Sequence, residues 1–315
     1  MKKFSIICVL IIMCVSICFA FGGCQNNDNP YEPTKDNSKD TPKEYSNEVQ
    51  VVLLLGQSNG EGHTHATYLN KTVGADKTEE YVNGYSNVKI SYACTISENT
   101  SNGEFVSVKL GQGHSKTQFG PEIGIAEKLS AIDPLKPVYI IKYAYGGTTL
   151  TTQWRSPSSK NTGSLYTGAV NYALEQCKKL EEADLYPVIK AICWMQGESD
   201  SDGLSYNSYE QLERNFVADI RSALAYYKPA NEEIGFVDAG ISDSVAWVHY
   251  DVINGAKQKL AQEGVSHVYL DTIAEDLKYN GEPAGAPDIY HYDSSSMVKL
   301  GHMFADALIQ NFLEI

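Results

Sequence analysis

Ser58 stands in Gly56-Gln57-Ser58-Asn59, directly after the strand candidate Val49–Leu55, and Asp288-Ile289-Tyr290-His291 lies near the other end of the chain. A serine at the exit of a buried strand is held by the sheet and faces outward, where a substrate reaches it. Its hydroxyl is a weak nucleophile until a base takes the proton, and a histidine oriented by a carboxylate is such a base. An acid three residues before the histidine readily reaches the ring. Together these groups can do acyl transfer to serine followed by hydrolysis.

Two further segments add polar groups and glycine at expected strand ends, Tyr145-Gly146-Gly147-Thr148 and Gln196-Gly197-Glu198-Ser199-Asp200. Each segment alone has an ordinary structural explanation. Gly-x-Ser after a strand is a common turn into a helix, Gly-Gly is a tight turn that tolerates positive φ, and Gln-Gly-Glu can start a helix. A lone histidine is most often solvated or held by a structural hydrogen bond. The joint occurrence, in this order and at successive strand exits, is what carries information.

The elements that must position these groups are legible as an alternation. Strand candidates are Val49–Leu55, Pro137–Ala144, Val188–Trp194, Glu233–Asp238 and His267–Leu270, mostly short apolar runs of the kind buried on both faces of a parallel sheet. Helical spacing occupies Pro121–Ile132, with proline in the first turn, then Leu165–Leu180, Tyr206–Tyr227, Val252–Gln262 with Gly264 as its C-cap, and Ser296–Phe312. Strand–helix alternation implies a doubly wound α/β domain whose ligands bind at the carboxyl ends of the strands. Residues 56–120, rich in Gly, Asn, Ser and Thr, read as long loops over the site.

On these residues the chain resembles the SGNH/GDSL hydrolases. GQSN, YGGT, WMQGESD and the Asp288-x-x-His291 pair, with FGPEIGIAEKL before the second strand, are similar to the sialate O-acetylesterase-like branch that includes the acetylxylan esterases of carbohydrate esterase family six. The resemblance covers about residues 49–315. It implies a three-layer α/β/α sandwich with a central parallel sheet, flavodoxin-like in type, no metal or organic cofactor, and removal of O-acetyl groups from carbohydrates. It makes Ser58 the nucleophile, His291 the general base and then acid, and Asp288 the group that orients His291. Oxyanion donors are the backbone N–H of Ser58, the N–H of Gly146 or Gly147, and a side-chain amide. Gln57, Asn59 and Trp154 are expected around the substrate, with a plain core aromatic an equal alternative for Trp154. The wider family uses an asparagine in the third block, where this chain has Gln196 and Glu198; a carboxylate cannot stabilise an oxyanion, so Gln196 takes the donor role. Glu198 is left as a competitor of Asp288 for His291 or as a supporting residue, with Asp288 favoured by its spacing.

Two other readings compete. Gly56-Gln57-Ser58-Asn59-Gly60 literally matches the G-x-S-x-G nucleophile elbow of α/β-hydrolases. That elbow follows several strands, however, and its acid lies on a loop separate from the histidine. A surface protein that binds glycans without catalysis, stacking sugars on Trp154, Tyr145 and other tyrosines, leaves the full catalytic set unexplained.

Composition narrows the partners. The formal net charge is −14, and loss of residues 1–23, which hold two lysines and no acid, brings it to −16. Such a chain is a poor electrostatic partner for nucleic acid. Lys2 and Lys3, the apolar stretch from Phe4 to Phe21 and Gly22-Gly23-Cys24 form a signal segment over residues 1–24 with a lipobox-like cysteine. Phe21 replaces the usual leucine, so an uncleaved anchor is the alternative; either way the chain is exported, and its membrane contact is confined to this N-terminus. Residues 25–48, polar and with three prolines, read as a disordered tether reaching about 25–30 Å. Cys94, Cys177 and Cys193 have no CxxC spacing and imply neither a disulfide scaffold nor a zinc site, with Cys193 a buried small hydrophobe. His63-Thr64-His65 suggests a metal pair, but no matching acid or cysteine spacing follows, which favours a loop role.

Overall fold

Seven strands in this sequence form one sheet because their apolar side chains need cover on both faces. The computed structural model describes residues 47–94, 99–132, 136–264 and 266–314. The expected signal segment and all but the last two residues of the expected tether lie outside them. In chain order the described strands are β1 (Glu48–Gly56), β2 (Thr64–His65), β3 (Tyr85–Cys94), β4 (Val106–Val108), β5 (Gln118–Phe119), β6 (Val138–Ala144), β7 (Tyr186–Met195), β8 (Gly235–Ala239) and β9 (His267–Leu270). The helices are α1 (Ser58–Glu61), α2 (Leu69–Thr72), α3 (Ala75–Asn83), α4 (Glu122–Ser130), α5 (Ser164–Glu182), α6 (Tyr209–Ala223), α7 (Tyr250–Glu263) and α8 (Ser294–Asn311).

The main sheet runs β4-β3-β6-β1-β7-β8-β9, parallel except for β4, and β2 pairs with β5 in a separate two-stranded ribbon. Helices α4 and α8 pack on each other, α6 packs on both α5 and α7, and both groups lie on the sheet, giving the three-layer α/β/α arrangement expected from the alternation. All five strand candidates and all five long helices are present. Their core is continuous from Val51–Leu55 of β1 through Ile189–Met195 of β7 to Leu300, Phe304 and Leu308 of α8. Cys193 is fully buried in it, and burial pushes its thiol pKa up, as befits an inert packing residue.

One expectation is corrected. Residues 56–120 are not only loops: β3, β4 and α3 lie within them. Strand β3 is interrupted by Ser86, Asn87, Lys89 and Ser91, because only β4 separates it from the sheet edge, and so its sequence lacks the continuous apolar run of the central strands. Gly264 is the C-cap of α7, as expected, and takes an extended conformation (φ −138°, ψ 136°). Among the described residues no helix is long and apolar enough to cross a membrane.

The sheet order decides where the site sits. Strands β6, β1 and β7 are neighbours, and Gly56 is in register with Ala144 on one side and Met195 on the other. The three polar segments therefore leave the sheet side by side. They are laced together: Tyr145 N donates to Gly56 O at 3.0 Å and Gln57 N to Met195 O at 2.9 Å. Glycine is required at position 56, where φ is +144° and a Cβ would stand 2.0 Å from Met195 O.

Candidate active site

Ser58 opens the one-turn helix α1, so its backbone N–H belongs to the first turn that a helix leaves unpaired. It lines a cavity of about 460 Å³ with Gln57, His63, His114, Gly146, Gly147, Ser199, Trp247, Tyr290 and His291. A roomier hollow of about 580 Å³, lined by Arg214, Arg221 and His267 among others, contains none of the strand-exit residues. Chemistry, not volume, points to the first.

His291 Nδ1 lies 2.6 Å from Asp288 Oδ2. Burial works to raise the Asp288 pKa, but hydrogen bonds from His291 and from Tyr290 N–H outweigh it and hold the carboxyl below its usual range. An ionised carboxylate on Nδ1 fixes the proton there and leaves Nε2 as the basic nitrogen. The loop is clamped from several sides: Ser244 Oγ donates to Ile289 O at 2.6 Å and Thr64 Oγ1 to Tyr292 O at 2.7 Å. Glu282 receives both the N–H and the hydroxyl of Ser294 at the start of α8, anchoring the loop's far end.

Glu198 does not compete for His291. It is buried, with Oε1 accepting from Asn59 Nδ2 at 2.8 Å and Oε2 without a hydrogen-bond partner. Burial raises its pKa, opposed chiefly by the Asn59 hydrogen bond.

Four further expectations meet a different geometry. Asn59 does not line the cavity. Its amide donates to Tyr290 O and its Oδ1 accepts from Tyr292 N, so one side chain grips the backbone on both sides of His291. The Gln196 amide nitrogen is spent on Asp200 Oδ2 at 2.7 Å and Thr148 O at 3.1 Å, because the buried Asp200 carboxylate claims it, and it is not offered to an oxyanion. Gly146 N–H donates to Glu61 Oε2 at 2.7 Å and is thereby engaged, while Gly147 and Ser58 also line the cavity. Trp154 is a core aromatic at 0% exposure, edge-on to Trp194 and donating to Thr148 Oγ1. Gln57 does line the cavity, with Oε1 turned inward to Gln196 Nε2 and Ser199 N.

The aromatic wall comes instead from Trp247 and Tyr290, whose rings meet at 5.5 Å, with Tyr290 half-exposed. Trp247 follows Ser242-Asp243-Ser244 in a segment without periodicity, and no sequence signal marked it. Tyr290 lay inside the Asp288–His291 motif and was open to notice.

Histidine neighbours were also missed. His63 stacks on His291 at 4.7 Å and on His114 at 4.3 Å. Glu61 bridges the two, Oε2 to His63 Nε2 and Oε1 to His114 Nδ1, each at 3.0 Å. The partners of His63 are thus Glu61 and His114, while His65 is exposed on β2.

Comparison with known proteins agrees with this architecture. The family model described as carbohydrate esterase, sialic acid-specific acetylesterase matches residues 48–310. NanS has a similar fold at a TM-score of 0.60 and 16% identity, over 84% of this chain and 97% of that one. A protein from Arabidopsis thaliana gives a TM-score of 0.58 and 18% identity, over 84% of this chain and 100% of its own. A carbohydrate acetylesterase from Xanthomonas citri gives 0.54 and 14%, over 83% of this chain and 56% of its own. No curated sequence is detectably similar to the chain.

Proposed function

The chain belongs to the carbohydrate esterase family of sialic acid-specific acetylesterases, and we propose that it removes O-acetyl groups from carbohydrates with Ser58, His291 and Asp288 as its catalytic triad. Ester hydrolysis on carbohydrates follows from family membership. The observation that carries the residue assignment is the 2.6 Å contact of Asp288 with His291 Nδ1, on a ring that shares its cavity with Ser58.

The steps follow from the protonation this contact imposes. His291 Nε2 takes the Ser58 hydroxyl proton as Oγ attacks the acetyl carbon, and the carbonyl electron pair moves to oxygen. Asp288 stabilises the imidazolium. Ser58 N–H and Gly147 N–H are the backbone donors assigned to the oxyanion; one such donor is typically worth about 2.7–4 kcal/mol. Collapse returns the electron pair, breaks the bond to the sugar oxygen, and passes the Nε2 proton to it. A water, deprotonated by His291, then attacks the acetyl-serine ester and releases acetate, restoring Ser58 with its proton.

Trp247 and Tyr290 offer a face for a sugar ring, of the kind aromatic residues give apolar ring faces. The residues lining the cavity include neither lysine nor arginine. A neutral sugar such as acetylated xylan fits that lining directly, whereas the carboxylate of a sialic acid must find its counter-charge among the histidines. Acetate release from acetylated xylan and from O-acetyl sialic acid tests this reading. Release from either supports carbohydrate deacetylation and ranks the two sugars; release from neither, by a folded protein, overturns it.

The N-terminal pattern supports a further part of the reading. The chain is exported and held at a membrane by lipid on Cys24, with a tether that ends before Glu48, the first residue of β1.

A further inference from the structure

We propose that Glu61, His63 and His114 form a binding site for a divalent transition-metal ion of the Zn²⁺ type in the wall of the active cavity. The three residues each present one ligand atom, and these atoms lie within 4.8 Å of one another. One carboxylate and two imidazoles are a donor set suited to zinc and related ions, and three protein ligands leave a fourth position open. Bonds of about 2.0–2.1 Å at a tetrahedral angle place ligand atoms about 3.3 Å apart. The Glu61 oxygens already stand 3.0 Å from His63 Nε2 and from His114 Nδ1. The two rings are stacked 25° apart, so an ion turns them out of the stack until both nitrogens face it.

The site is built, not incidental. Glu61 ends α1 at 0% exposure, a carboxylate withdrawn from water and surrounded by these imidazoles. His63 and His114 come from segments pinned together by backbone: His114 N donates to Gly62 O at 2.9 Å, Gln118 Nε2 donates to His63 O at 2.7 Å, and the β2–β5 ribbon pairs Thr64 with Phe119. Gly146 N–H holds Glu61 Oε2, the kind of outer hydrogen bond that orients a metal-binding carboxylate. A Cβ at residue 146 would lie 3.0 Å from His63 Nε2 and 3.1 Å from Glu61 Oε2, so a larger residue there pushes on both side chains. Both histidines line the cavity, which gives the ion an entry path and turns the open position toward the substrate space. The ion would be the strongest positive charge in a cavity lined by neither lysine nor arginine, and its open position suits an oxygen of an acidic sugar.

This inference stands apart from the triad assignment, because binding is measured without turnover. The full chain is stripped with a chelator and titrated calorimetrically with Zn²⁺, and with Co²⁺ followed by visible absorption. The expected result is one equivalent bound, with the intense absorption of a low-coordinate Co²⁺ site. His63→Ala, His114→Ala and Glu61→Gln each weaken binding at least tenfold, an effect on the order of those seen for lesser changes around metal sites. His65→Ala, on the exposed neighbour, leaves affinity unchanged. Circular dichroism verifies folding, and His114→Asn replaces the alanine variant if that one unfolds. No saturable binding near one equivalent, or binding that survives loss of His63 and His114 together, overturns the proposal.

Discussion

Asn59 Nδ2 donates to Glu198 Oε1 at 2.8 Å inside the protein, and the same side chain holds Tyr290 O and Tyr292 N on either side of His291. Glu198 therefore acts on the histidine loop through Asn59, while Asp288 touches the ring itself. The two acids should separate by mutation. Asp288→Asn removes the carboxylate that fixes the tautomer and is expected to lower kcat by about 10²–10⁴-fold. Glu198→Gln keeps an oxygen for Asn59 and is expected to cost less than about tenfold. Steady-state kinetics on an acetyl ester measure both, and a larger loss for Glu198→Gln would reverse the roles.

Glu198 also gives a stability prediction whose sign is fixed. Burial raises its folded pKa above the ordinary 4.5, so the folded state holds the proton more tightly than the unfolded chain. Below pH 4.5 both states are protonated and burial costs nothing; as pH rises through the folded pKa, the native state loses stability. Glu198→Gln abolishes that dependence. Urea unfolding from pH 4 to pH 8 should show the variant gaining on the wild type as pH increases, and a constant difference would contradict the burial argument.

Trp247 and Tyr290 form the aromatic wall of the cavity, whereas Trp154 is locked in the core. Trp247→Ala should raise KM for an acetylated sugar by about 3- to 10-fold, in line with about 1 kcal/mol for an aromatic contact. It should change KM for a small aryl acetate little. Equal effects on both substrates would remove Trp247 from sugar recognition.

Lipid attachment at Cys24 predicts that a radiolabelled fatty acid is incorporated by the full chain in a bacterial host and is lost in Cys24→Ser. Labelling that persists in that variant, or is absent from both, would reject the lipid anchor.

The fold was legible because its central strands are buried on both faces and so carry nearly continuous apolar runs, while its long helices keep one apolar stripe. Strand β3 escaped because, with only β4 outside it, its sequence mixes polar with apolar residues. The Ser58, Asp288 and His291 motifs were legible because side chains that act together were written at strand exits and at a fixed offset. What the pattern could not convey was which polar atoms are already engaged. Gln196 has the right type and position for an oxyanion donor, yet Asp200, four residues on, takes its amide. Asn59 likewise looked like a substrate ligand and is a clamp. Glu61 and His114 are 53 positions apart and meet only through the fold.

Ser58 is the centre of the proposed reaction. The direct measurement is mass spectrometry of the protein treated with a fluorophosphonate, alongside acetate release by the wild type and Ser58→Ala. The expected result is one adduct, on Ser58, with acetate release that Ser58→Ala nearly abolishes. A folded wild type that takes no adduct at Ser58, or a Ser58→Ala variant that releases acetate as fast as the wild type, would contradict it.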